Sequence, residues 1–272
     1  MPLITISRGM GSGGEAIADI VSNQLKLELF DDERLHREAV DMGIKPDEFD
    51  GFDEKAPGFW DYLWGQKPEL YLDLMESVVY NVAKNGEGVI LGHGSQFLLR
   101  DFGCALQVFI RASESSRIAY LVAQSGMKEN AARKLIHKSD HERRGFCRFA
   151  FHMDWDDPSL YDLVINTDKI GIEGAAKLII ETATSSEIKE CSLNTLESME
   201  GMALTKKVHG ALLRNKVNLA TLHVEGDNKG VVSLYGLIST RKAHDRIVET
   251  IKEVPGVTEV LSEVTVAPPA IA

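Results

Sequence analysis

Five short apolar runs, Leu3–Ser7, Glu28–Phe30, Gly88–Leu91, Leu106–Ile110 and Leu163–Ile165, punctuate the first two thirds of the chain. Their length suits strands buried on both faces. Between them, apolar residues recur at helical spacing over Leu72–Ala83, Glu114–Val122, Glu129–Lys138 and Glu173–Thr182. Strands alternating with helices predict βαβ units and a parallel sheet, with ligands at the carboxyl ends of the strands. The polar stretch Thr184–Glu200 is weakly periodic and reads as a linker or short helix. Beyond it, Leu204–Leu213 is helical and Thr221–Glu225 and Val231–Leu237 alternate as strands. Thr240–Glu253 is helical again, and after Pro255 and Gly256 the run Val257–Val266 alternates once more. This second texture predicts a small separate α/β sandwich.

The densest chemical signal lies between the first strand and its helix, in ITISRGMGSGGEAIADI from Ile4 to Ile20. Gly9, Gly11, Gly13 and Gly14 let backbone N–H groups approach a ligand, and a glycine loop feeding a helix N-terminus favours phosphate. The loop lacks the Lys and hydroxyl of a G-x-x-x-x-G-K-[ST] phosphate loop; Gly14 and Glu15 stand in their place. A dinucleotide-binding G-x-G-x-x-G reading fits Gly9, Gly11 and Gly14, but only Asp31 and Asp32 offer the acidic residue that it needs.

Composition narrows the partners. The net charge is −11, and the segment from Ala203 onward holds nine Lys/Arg against seven Asp/Glu, so the acidity lies in the first part of the chain. Such a body argues against nucleic acid, though local arginines still suit small anions. No apolar stretch is long enough to span a bilayer and no signal peptide is apparent. Cys104, Cys147 and Cys191 are scattered without metal-type spacing, which suggests a reducing cytoplasm.

The order ITISRGMGSGG, FDDERL, FDEKAP, VILGHGSQFLLRD, VFIRA and HMDWDDPSLYDLVINT resembles the cytidylate kinase-like branch of the P-loop nucleoside monophosphate kinases. The run HVEGDNKGVVSLYGLISTRKAHDRIVETIKEVPGVTEVLSEVTV, with Gly236, Gly256 and Val257, resembles a BON domain. Together they imply an α/β fold: a five-stranded parallel sheet flanked by helices over residues 1–183, a linker over 184–200 and a BON-like domain over 201–268. The implied activity is phosphoryl transfer from ATP, with Mg2+, to CMP, dCMP or a related acceptor. The BON segment would regulate or tether, with a small ligand, a lipid or a protein as its partner.

Under that resemblance Gly11, Ser12, Gly13 and Gly14 hold the ATP phosphates. Arg8 supplies the missing cation or pairs with a carboxylate of the acidic body. Glu15 favours the helix start or ligates magnesium. Arg143, Arg144 and Arg148 correspond to the lid over the transferring phosphoryl group, and Arg117 to a further phosphate-associated arginine. On the acceptor side stand Asp32, His93 and Arg100. His93 and Gly94 replace an Arg-Asp pair that reads pyrimidines in cytidylate kinases proper. Phe49, Phe52, Phe59, Trp60, Tyr62 and Trp64 stack a base or merely pack, and Asp154, Asp156 and Asp157 suit turn and cap work better than a metal. The missing Lys leaves an alternative open: a degenerate kinase that binds nucleotide and signals through the BON segment without turnover.

Overall fold

The computed structural model describes residues 2–44 and 68–266. The aromatic segment 49–64 lies outside the described residues. The chain forms two compact units, one from Met1–Arg34 and Asn85–Ser192, the other from Leu35–Lys84 and Leu193–Ala272.

In the first unit, β1 (Leu3–Arg8), β2 (Leu29–Phe30), β3 (Gly88–Leu91), β4 (Ala105–Arg111) and β5 (Leu163–Asn166) form one sheet in the order β2-β3-β1-β4-β5. Every pairing is parallel. All six residues of β1 are buried, as a strand covered on both faces requires. Helix α1 (Gly14–Leu25) sets Ile17, Ala18 and Val21 into the core beside Ile4, Ile6, Leu106 and Val108. The chain leaves β1 towards β2 on one side and leaves its neighbour β4 towards β5 on the other, so the loop after β1 occupies the switch point where ligands of such sheets bind. Two disulfide-bonded residues, Cys104 and Cys191, bring Cα atoms 87 positions apart to 4.9 Å, while Cys147 is free and buried. Their pairing removes the cysteine pattern as an argument for a reducing compartment.

Helix α2 (Asp32–Asp41) begins in the first unit and ends in the second. In the second unit, α3 (Pro68–Ala83) packs on the long helix that follows the first unit. The remaining helices of the first unit are α4 (Ser95–Leu98), α5 (Glu114–Ser125), α6 (Glu129–Phe151) and α7 (Thr167–Ala183), which bends at Gly171. Helix α8 (Leu193–Arg214), the partner of α3, begins inside the stretch read as a linker or short helix. Two glycines further along α8 have a packing cause. A Cβ at Gly201 would lie 2.6 Å from the Gly226 carbonyl oxygen, and one at Gly210 would lie 2.8 Å from Leu74 Cδ2. Close approach therefore demands glycines that helix propensity disfavours.

The rest of the second unit is an antiparallel pair, β6 (Leu222–Gly226) and β7 (Val231–Ile238), with β8 (Glu259–Val266) parallel to β7 and α9 (Arg241–Lys252) between them in sequence. Val224, Val232, Leu234 and Ile251 form its core with Leu204 and Val208 of α8. Between α3 and α8, Lys206 Nζ reaches Glu76 at 2.6 Å and Asp73 at 3.1 Å. No helix among the described residues is long and apolar enough to cross a membrane.

Candidate active site

The glycine loop, residues 9–13, joins β1 to α1 at the centre of the sheet's carboxyl edge. Gly13, at φ 84°, precedes the first turn of α1 without a side-chain cap. The first-turn amides of a helix have no intrahelical acceptor, so they face the loop as anion donors. The loop is also packed from behind. A Cβ on Gly11 would lie 2.8 Å from the Arg117 carbonyl oxygen, and one on Gly14 would lie 2.5 Å from Arg8 Cβ. Ser12 faces inward: its hydroxyl donates to the Ile110 carbonyl at 3.3 Å, and its own carbonyl accepts from the Thr167 hydroxyl at 3.1 Å.

Arg8, at the end of β1, is buried, and its Nε lies 3.3 Å from Glu15 Oε1 in the first turn of α1. An arginine before the glycines thus meets a carboxylate in the first turn of the helix after them. Two further arginines reach the backbone in the loop and at the end of β1. Arg117, on α5, donates from Nε to the Met10 carbonyl at 2.6 Å, and Arg143, on α6, donates to the Arg8 carbonyl at 2.5 Å. Arg144 and Arg148 point elsewhere, to Asp156 at 3.2 Å and Asp154 at 2.5 Å.

The sequence pattern ends a helix at Lys138, ahead of this cluster; α6 instead runs on to Phe151 and carries Arg143, Arg144 and Arg148 in its last turns. Gly145 is tolerated there, because a helical glycine costs only about 1 kcal/mol against alanine. A cleft of about 150 Å³ opens between Gly9, Arg111, Arg117, Asp140, Arg144 and Asp156.

On the β2–β3 side, His93 and Asp32 meet. His93 Nε2 lies 2.6 Å from Asp32 Oδ1, with the imidazole fully buried. His93 sits at φ 56° between Gly92 at 79° and Gly94 at 68°, a left-handed run unusual for a residue with a side chain. Strain of that kind concentrates at functional sites. Arg100 lies apart from this pair, beside Asp101 at 3.6 Å and Met153 Sδ at 3.4 Å.

Sequence reasoning passed over an aromatic cluster beside Arg143. Phe109 stacks on Tyr161 at 5.0 Å and meets Trp155 edge-on at 5.1 Å, while the Arg143 guanidinium lies 5.4 Å from the Trp155 ring. Tyr161 donates to the Trp155 carbonyl at 2.5 Å, and burial pushes its phenol well above the usual range, which keeps it a neutral donor. These three aromatics are spread over 52 positions of sequence, so no local motif announces them. Of the neighbouring aspartates, Asp157 caps a 3₁₀ turn through Ser159, and Asp154 and Asp156 serve as arginine partners.

Among the described residues no group of His, Cys, Asp and Glu could hold a metal ion by itself. Mg2+ in phosphoryl-transfer sites is held mainly by substrate phosphates and water, with one or two carboxylates. The donor set here therefore suits a metal that arrives with ATP, with Glu15 as the carboxylate nearest the loop.

This arrangement, a parallel sheet with a glycine loop at its switch point and arginines closing on it, defines a P-loop kinase-type fold. Residues 3–169 match the cytidylate kinase-like family and residues 203–268 match the BON domain. The chain belongs to the cytidylate kinase-like family and carries a BON domain. Over 184 residues it is 27% identical to a cytidylate kinase of Pyrobaculum islandicum, covering 66% of this chain and 92% of that one. It is 26% identical over 188 residues to a cytidylate kinase of Archaeoglobus fulgidus, covering 68% and 97%. A crystal structure of an uncharacterized protein from Eubacterium ventriosum shares the fold, with a TM-score of 0.54 and 23% identity over 67% of this chain and 97% of that chain.

Proposed function

We propose that this chain transfers the γ-phosphoryl group of ATP, taken as its magnesium complex, to CMP, dCMP or a related nucleoside monophosphate. The observation that carries the reading is the contact of Arg117 with the Met10 carbonyl of the glycine loop and of Arg143 with the Arg8 carbonyl immediately before it. Phosphoryl transfer needs little covalent help; positioning and cations on the developing charge do most of the work. The amides of Gly11–Gly14 cradle the ATP phosphates, and Arg8 brings positive charge from the strand side of the loop. Magnesium neutralises charge on the phosphates when bound. Arg144 and Arg148 exchange Asp156 and Asp154 for phosphoryl oxygens as the lid closes. Asp32 and His93 orient the acceptor's sugar or base, and Arg100 takes its phosphate. The BON domain acts as a regulatory or tethering module.

The test is ADP release by purified protein with ATP and magnesium across CMP, dCMP, UMP, AMP and GMP. Turnover with a pyrimidine acceptor in the range of about 1–100 s⁻¹ supports the reading. ATP binding without turnover on any of them contradicts it. One observation favours a second reading, a nucleotide sensor that acts through the BON domain: Arg8, Arg117, Arg144 and Arg148 each already hold a carboxylate. A sensor loses no rate on Arg144→Ala, whereas a kinase loses rate far more than affinity.

A further inference from the structure

A cavity in the second unit lies far in sequence from the glycine loop. It holds about 530 Å³, within the range of small-molecule sites. Its walls combine two chemistries. Leu222, Leu237 and Ile247 give an apolar surface, and Lys216, Lys242 and Arg246 supply the charge. No Asp or Glu lines it, although the chain carries a net charge of −11.

The local structure explains how three cations converge. Lys242 and Arg246 are four residues apart on α9 and share one face. Ala243 and Ile247 follow them one position on, so the apolar wall and the cations come from adjacent stripes of the same helix. Lys216 projects from the turn after α8 at φ 58°, a left-handed conformation. Leu222 opens β6 and Leu237 is the last but one residue of β7, and the strands pair so that both lie at one end of the sheet. Among the described residues, no carboxylate comes within ion-pair distance of Lys216, Lys242 or Arg246. Asp245, the acidic residue between the last two, is held by Arg241 and His244 instead. Leu237 is 57% exposed.

We propose that this cavity is a binding site for a small soluble organic anion, a phosphate ester or carboxylate with a compact apolar body. The cations take the anionic group, and Leu222, Leu237 and Ile247 cover the body. Charge complementarity selects an anion, and an open concavity of about 530 Å³ is of a size that takes a small molecule. The reading stands apart from kinase activity and survives its failure.

The test uses the full chain and hexyl phosphate, followed by calorimetry and by methyl NMR of the leucines and isoleucines. Hexanol and inorganic phosphate serve as the separated halves, and vesicles of phosphatidylglycerol represent the lipid source of the same headgroup chemistry. Hexyl phosphate should bind at least about tenfold more tightly than either half, since a charged hydrogen bond and apolar burial each contribute on that scale. It should shift the methyl signals of Leu222, Leu237 and Ile247. Lys242→Gln together with Arg246→Gln should weaken binding about tenfold with an unchanged unfolding temperature. If that pair fails to fold, the methyl shifts of the unmodified chain decide. Equal binding of inorganic phosphate, methyl shifts elsewhere, unchanged affinity in the folded double variant, or binding to vesicles alone would each overturn the proposal.

Discussion

Arg117 grips Asp140 with both terminal nitrogens, at 2.8 and 2.7 Å, while its Nε holds the Met10 carbonyl at 2.6 Å. One guanidinium thus ties α5, α6 and the glycine loop into a single corner. The pair is half-buried, so its loss leaves an incompletely solvated charge. Asp140→Asn should destabilise the protein by about 1–3 kcal/mol in urea unfolding. It should also raise the KM for ATP, because the loop loses its fixed arginine. Unchanged stability and KM would show that the corner is ornamental.

Glu15 places a negative charge in the first turn of α1, where ATP phosphates would lie. It is offset by Arg8 at 3.3 Å but remains 35% exposed. Glu15→Gln should release Arg8 towards the phosphates and tighten ATP about three- to tenfold, measured by equilibrium binding with magnesium present. Weaker binding that no longer responds to magnesium would identify Glu15 as a metal ligand instead.

Arg144 and Asp156 are 3.2 Å apart at the lid, both substantially exposed. Such a pair is worth little in stability, so Arg144 can leave it for a phosphoryl group. Arg144→Ala should lower kcat by about a hundredfold while changing ATP affinity less than about threefold. Asp156→Asn should leave kcat intact. Equal losses of rate and affinity in Arg144→Ala would place that arginine in ground-state binding.

The strand runs of the first unit were legible because buried parallel strands are continuous apolar stretches, and Leu3–Ser7 falls within β1. The arginine cluster was legible as a group but not as part of α6, since nothing after Lys138 marks continuation as clearly as the periodicity before it. The His93–Asp32 contact joins residues 61 positions apart and is a product of strand order. Spacing alone does not encode it. The Cys104–Cys191 pairing was hidden for the same reason.

That disulfide closes a long loop, and a cross-link acts chiefly by restricting the unfolded chain. Reduction, or Cys191→Ser, should cost the first unit about 2–5 kcal/mol, read from thermal unfolding with and without reductant. Identical unfolding curves would mean that the bond adds nothing under those conditions.

Lys206 serves two carboxylates of α3, and its own state reflects both. Burial lowers its affinity for a proton, but Glu76 and Asp73 together more than offset this and hold it above the usual range. Glu76 shares that one ammonium, and burial pushes its carboxyl up although Lys206 pulls it down. A carboxylate raised in the folded state favours folding below its unfolded pKa and loses that contribution as pH rises through the folded value. Lys206→Met removes the opposing pull and raises Glu76 further. The variant should lie close to the unmodified protein near pH 4 and fall behind it by about 2–4 kcal/mol towards pH 8. A deficit independent of pH would show that packing, not charge, explains the effect.

The central claim is phosphoryl transfer, and it is tested most directly by following the label from [γ-³²P]ATP in the purified chain with magnesium and CMP. The account predicts labelled CDP that appears only with acceptor present and is nearly abolished by Arg144→Ala. Bound ATP that yields no labelled nucleoside diphosphate, from CMP or any other monophosphate tried, would contradict it.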